Sequence, residues 1–228
     1  MKSQEVWNES YKNKDNFVFY PHEEIIRFIS KYIKKRIGLD EYVEQNTNNS
    51  AIKVLDIGCG IGRHVKLINE FGLDGYGFDL SSESIKVAKE HFSKQNIKEL
   101  AEKVIVADIT NLPYKENEFD FMLSHGVIDS MPFDIAKKGM NELYRVAKNK
   151  AKIYIDLVAS SDSSFDGDFE KIVQNEHENG TIQSYFNQEK IEELIGDKFK
   201  ILEQYIVNKE DCLKELNIRR YHIVIEKI

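Results

Sequence analysis

Residues 53–68 read KVLDIGCGIGRHVKLI. Val54, Leu55 and Ile57 make a short apolar run of the kind a strand buried on both faces requires, and Val65 and Ile68 open a helical pattern. Between them Gly58, Gly60 and Gly62 stand at alternate positions. Glycines at the carboxyl end of a parallel strand let the chain turn sharply and let a ligand approach backbone N–H groups beside a helix start. The dinucleotide fingerprint G-x-G-x-x-G would need glycine at 63, where the chain has Arg63, so the spacing is G-x-G-x-G. Asp56, placed before the first glycine, puts an acid where a pyrophosphate would otherwise lie, and a ligand with an amino group fits better.

Outward from this stretch, strand and helix patterns alternate. Residues 52–57 lead into a helix over 62–71, GYGFDL forms a strand ending at Asp79, and SSESIKVAKEHFSKQ starts with serine caps and Glu83. Strands follow over 103–107, 119–124 and 151–158, with a helix over 134–147. This is the spacing of βαβ units. Before the core, residues 22–37 place Ile25, Ile26, Phe28, Ile29, Ile33 and Ile37 on one helical face that Gly38 should stop, and EQNTNNS (44–50) reads as a surface loop. After it, residues 159–186 are polar and weakly patterned, then come a helix over 188–195 and an antiparallel strand pair, 198–207 with 218–227.

With 228 residues and 41% hydrophobic content, the chain suits one α/β domain. Its parts are an N-terminal helical lid (1–49), a cofactor-binding core (50–158) and an acceptor-side segment (159–228). Basic residues (32) are outnumbered by acidic ones (39) and interspersed with them, which disfavours a nucleic-acid partner. Cys59 and Cys212 make no disulfide framework, and MKSQEVWNES is polar where a signal peptide needs an apolar stretch, so the expected compartment is the cytoplasm. No apolar run approaches the roughly 20 residues of a membrane span. No metal-spaced cluster of His, Cys or carboxylates is visible, and no metal is expected.

Asp56-Ile-Gly58-Cys-Gly60-Ile-Gly62 resembles the first motif of class I S-adenosylmethionine-dependent methyltransferases of the small-molecule type, and the rest of that family's set follows in order. The resemblance implies a Rossmann-like α/β fold whose seven-stranded mixed sheet has helices on both faces and its last strand antiparallel. It also implies S-adenosylmethionine as methyl donor, with S-adenosylhomocysteine as product. Asp79, with Leu80 beside it, matches the ribose-binding acid, and Asp108 the residue that meets the adenine amino group, with Ile109 as a packing surface. Asp56, Gly58, Cys59, Gly60 and Gly62 would form the donor loop, Cys59 as a small packing residue rather than a nucleophile. Trp7 and Tyr11 resemble the aromatic pair that folds over the methionine end, and Ser124 would offer its backbone carbonyl.

His125 is the candidate base, because an imidazole takes a proton near neutral pH, and Asp129 could orient it, bind an acceptor cation or cap the helix beginning near Pro132. His64 reads as structural. Tyr20, His22, His177, Tyr185, Arg219 and Tyr221 lie in terminal additions that in this family form the acceptor pocket. The expected partner is a small-molecule acceptor, methylated on oxygen first and nitrogen second, with no membrane contact and a monomer or homodimer as the assembly. A sugar or natural-product precursor is the first choice. Two rivals are a nicotinamide-dependent oxidoreductase, disfavoured by Arg63 at the third-glycine position, and a regulatory module that binds S-adenosylmethionine without turnover.

Overall fold

The computed structural model describes residues 2–14, 16–45, 51–174 and 178–228. Seven strands build the central sheet: β1 Lys53–Ile57, β2 Asp74–Asp79, β3 Val104–Val106, β4 Phe119–Ser124, β5 Ala147–Val158, β6 Phe199–Asp211 and β7 Leu216–Lys227. Six helices accompany them: α1 Lys2–Lys12, α2 Glu23–Tyr32, α3 Arg63–Glu70, α4 Ser82–Lys94, α5 Phe133–Val146 and α6 Gln188–Ile195. The strand order is β6-β7-β5-β4-β1-β2-β3. Only β7 runs antiparallel to its two neighbours, β5 and β6. The sheet reverses its winding between β1 and β4, and the carboxyl ends of β1, β2, β3 and β4 share one edge there.

Side-chain alternation decides what each face carries. Leu55, Ile57, Ile153, Ile155, Ile223 and Ile225 pack toward α5 and α6. Val54, Tyr154 and Val224 point the other way, toward α2 and α3, where Ile25, Phe28, Ile29 and Ile68 meet them. Asp56, Asp156 and His222 are each two residues from one of these, so period two places them on the α2 face, near the carboxyl edge. A third cluster, with Cys59, Val65, Ile85 and Phe92, fills the space under α3 and α4.

The helix expected over 22–37 is shorter. It ends at Tyr32, and Lys34–Arg36 instead pairs antiparallel with Tyr42–Glu44. Ile33 continues the helical stripe and is fully buried, but Ile37 is 57% exposed, so a longer helix would bury nothing more. The 159–186 segment holds a second small antiparallel pair, Glu170–Ile172 with Ile182–Ser184. The final strands also run longer than their apolar pattern, because backbone pairing continues from Val207↔Arg220 out to Asp211↔Leu216 after burial has ended. Most of the 44–50 loop and His177 lie outside the described residues.

Candidate active site

The carboxyl edge of the sheet opens into a cavity of about 770 Å³. Gly58 and Gly60 line it with positive φ (61° and 53°). A Cβ on Gly60 would stand 2.6 Å from Tyr11 Oη and one on Gly58 2.5 Å from Val127 Cγ2, so only glycine leaves the backbone accessible there. Asp79 fixes the loop: the Gly60 N–H donates to its Oδ2 (2.9 Å) and the Ser81 N–H to its Oδ1 (2.8 Å). Burial raises the Asp79 carboxyl above its ordinary range against these hydrogen bonds.

α1 forms the roof. Residues 4, 7, 8 and 11 share one helical face, and all four face the site. Gln4 donates to the Leu80 carbonyl (2.9 Å), Asn8 Oδ1 accepts from Ser81 Oγ (2.8 Å), and Trp7 and Tyr11 line the cavity. Burial, with Asp79 nearby, pushes the Tyr11 hydroxyl well above its usual pKa, so it stays a neutral phenol. Leu80, Asp108, Ile109 and His125 also line the wall. Cys59 does too, but burial raises its thiol well above the ordinary value, which removes it as a thiolate nucleophile.

Four of the expected site residues stand behind the wall. Asp56 is 1% exposed, with Oδ1 3.5 Å from His64 Nδ1, because strand alternation turns it toward α3 rather than along the loop. The His22 N–H donates to His64 Nε2 (3.2 Å), so His64 carries its own proton on Nδ1, facing Asp56. Gly62 caps α3 and packs on Phe92, and Ser124 is fully buried with Oγ unpartnered. Asp129 is held inside by Arg220 (2.7 Å) and the Val158 N–H (3.0 Å), away from the cavity. Asp129 therefore neither lines the cavity nor bonds His125, and Pro132, not Asp129, stands at the start of α5. Of the terminal additions, Tyr20 contributes only its carbonyl, Tyr185 is buried against Ser164, Arg219 bonds Asn208, and Tyr221 packs on the core.

The carboxylate that faces His125 is Asp156, with Oδ2 3.8 Å from Nε2. Asp156 accepts from the Gly126 N–H (2.7 Å) and from Arg220 Nε (2.8 Å), so Arg220 bridges Asp156 to Asp129. Burial works to raise Asp156, but Arg220, His125 and the hydrogen bonds outweigh it and hold the carboxyl below its ordinary range. Burial raises Asp129 against the Arg220 cation. The His125 ring lies 3.9 Å from the His22 ring, and its Nδ1 is 3.4 Å from Arg63 Nη2. Burial lowers the His125 pKa to about 3, opposed by Asp156 and reinforced by His22, Arg220 and Arg63. The imidazole is neutral at physiological pH, its Nε2 side toward a carboxylate and its Nδ1 side toward a guanidinium. Of the terminal additions His22 does reach the site, with its ring against His125, and Arg63 stands at the start of α3 directly after the glycines. Asp156 and Arg220 had no local spacing to announce them, and sheet pairing brings those two together.

A family model described as a methyltransferase domain matches residues 48–206. The chain belongs to this methyltransferase family. It is 30% identical to an uncharacterised protein of Methanocaldococcus jannaschii, over 61% of this chain and 54% of that one. It is equally 30% identical to a phosphoethanolamine N-methyltransferase of Plasmodium falciparum, over 63% of this chain and 52% of the relative. The methyltransferase chain thus spans about half the length of these relatives. A crystal structure of a SAM-dependent methyltransferase from Methanosarcina mazei shares the fold, with TM-score 0.63 at 20% identity, covering 78% of this chain and 94% of that one. The cofactor of this methyltransferase family is S-adenosylmethionine, and the cavity fits it. Asp79 and Asp108 offer carboxylates for a diol and an exocyclic amine, and Gly58 and Gly60 form a cradle that a Cβ would fill. Among the described residues no His, Cys, Asp or Glu group is arranged to hold a metal ion, and no helix is long and apolar enough to cross a membrane.

Proposed function

We propose that this methyltransferase moves a methyl group from S-adenosylmethionine to an oxygen of a small hydroxylated metabolite, a sugar or natural-product precursor, with nitrogen as the second choice. The observation that carries the reading is His125, a neutral imidazole at the cavity wall with Asp156 behind it. Gly58 and Gly60 would hold the amino-acid end of the donor, Asp79 the ribose, and Asp108 and Ile109 the adenine. The donor, when bound, supplies a methyl group on a sulfonium and leaves as a neutral thioether.

The acceptor oxygen must lose a proton as its bond to the methyl carbon forms. His125 Nδ1 takes that proton, because Asp156 favours the tautomer with hydrogen on Nε2. At 3.8 Å the Asp156 contact is longer than a hydrogen bond, and contacts of this kind tighten when a ligand fills the site. Asp129 acts at a distance, as a positioning residue that anchors Arg220 and through it Asp156. Trp7 and Tyr11 on α1 exclude water, which strengthens the electrostatics of the transfer. The N-terminal segment and residues 159–186 together serve as the lid of a cytoplasmic monomer or homodimer that needs no nucleic acid and no membrane.

Calorimetry against S-adenosylmethionine, S-adenosylhomocysteine and NAD tests the reading. Micromolar binding of the first two without NAD is expected. Binding of NAD alone would overturn the assignments of Asp79 and Asp108. Transfer of a labelled methyl group to hydroxylated metabolites then identifies the acceptor, and tight donor binding with no acceptor methylated would favour a regulatory module.

A further inference from the structure

Arginine remains charged at physiological pH and carries five N–H donors. One that faces a cavity without a carboxylate partner keeps spare capacity for an oxyanion. Arg63 is in that position. Nη1 donates to the Tyr20 carbonyl (3.2 Å) and Nη2 lies 3.4 Å from His125 Nδ1, so both its contacts are neutral. Among the described residues it forms no ion pair, and it is the only lysine or arginine lining the cavity. Arg220 and Arg145 are each paired with carboxylates at 2.7–2.8 Å. Burial works against the Arg63 charge, while Asp56 and Asp156 support it from beyond ion-pair distance. Among the described residues none of the carboxylates lining the cavity, Asp79 at the end of β2, Asp108 beyond β3 and Glu178, lies within ion-pair distance of Arg63.

We propose that the acceptor carries an oxyanion, a carboxylate or a phosphate monoester, and that Arg63 receives it; the proposal rests on the methyltransferase reading above. The contact with His125 decides for the acceptor over the donor's own carboxylate, because a group seated on Arg63 lies against the imidazole that takes the acceptor proton. Seating has a second effect. A planar guanidinium engaged by two oxygens turns away from Nδ1, and the arriving negative charge favours the protonated imidazole. The base is weak in the empty site and strengthens when an anionic acceptor occupies it.

The test uses the full chain saturated with S-adenosylhomocysteine, with inorganic phosphate and acetate as probes, read by NMR of histidine-labelled protein in which His125→Asn identifies the His125 signals. Either probe should bind at one site and raise the apparent His125 pKa by at least one unit. Arg63→Gln should weaken that binding tenfold or more, Arg63→Lys should restore part of it, and the affinity for S-adenosylhomocysteine should stay within threefold. Equal phosphate binding by wild type and Arg63→Gln, or an unmoved His125 signal, overturns the proposal. So does a tenfold loss of S-adenosylhomocysteine affinity in Arg63→Gln with unchanged binding of 5′-methylthioadenosine, which would give the guanidinium to the donor carboxylate. If wild type binds no S-adenosylhomocysteine at all, the methyltransferase reading itself falls; if it binds and the anions do nothing, only this proposal falls.

Discussion

Replacing Arg220 with Met removes the cation that two buried carboxylates share. Asp129 is 1% exposed and Asp156 fully buried, and neither has another cation within ion-pair distance among the described residues except His125, which is neutral at physiological pH. Breaking a buried pair costs about 3–5 kcal/mol. The Arg220 side chain is 25% exposed, so water screens part of the interaction and the lower end, about 3 kcal/mol, applies. For a chain of this size that corresponds to a fall in Tm of about 6–12 °C. The pH dependence carries a definite sign. In the wild type Asp156 titrates below its unfolded value, so its contribution is present above the unfolded pKa and lost as pH falls through the folded one. Without Arg220 both carboxyls titrate above their unfolded values, and the variant regains stability as they protonate. Urea denaturation between pH 8 and pH 5 should therefore show a deficit that is largest at high pH and shrinks on acidification. Adding Asp129→Asn should recover part of it at pH 8. A deficit below about 1 kcal/mol at pH 8, or one independent of pH, would refute the picture of a shared cation.

Asp79→Ala should weaken S-adenosylhomocysteine at least tenfold in calorimetry, about 1.4 kcal/mol, and also loosen the loop whose Gly60 N–H it accepts; unchanged affinity removes the ribose assignment. His125→Ala should lower turnover by about 10²–10⁴ with donor affinity within threefold, and an unchanged rate across pH makes the imidazole a bystander. His125 and, more modestly, His22, His91 and His222 titrate below their unfolded values. A group depressed in this way destabilises the fold as pH drops below the unfolded pKa. Stability should fall between pH 6.5 and 4.5, by about 1.4 kcal/mol per pH unit for His125 alone, and a flat profile in thermal melts would contradict their burial.

The glycine loop, Asp79 and the succession of core strands along the chain were legible because each is a local signal: periodicity, a cap, or a residue at the end of an apolar run. Asp79 reaches the cavity from the end of β2, and Asp108 and His125 from just after β3 and β4, as their places imply. Asp56 was misplaced by the same logic taken one step too far. Being next to the loop in sequence does not put its side chain there, since alternation turns it to the α2 face. Nearness along the chain offered Asp129 as an orienting partner of His125, beside an acceptor-cation or capping role, whereas Asp156, 31 positions from His125 in the numbering, meets the ring across the β4–β5 pairing. Arg220 and His222 arrive from the antiparallel strand β7. Contacts of this range depend on strand order, which no spacing within one segment reveals. The helix expected through Ile37 failed for a different reason, because apolar spacing persists where burial does not.

The helix α1 is held to the body at the cavity rim by side chains rather than by shared strands or a common core: Gln4 on the Leu80 carbonyl, Asn8 on Ser81, and Tyr11 over Gly60. A roof fastened this way can lift without unfolding anything beneath it. A nucleoside lying on Asp79 would sit beneath α1, and lifting that helix would widen its way in and out. Were donor exchange to need that lift, the undocking of this short helix would bound the pace of repeated turnover. Shortening α1 should then trade retention of the donor for speed of exchange.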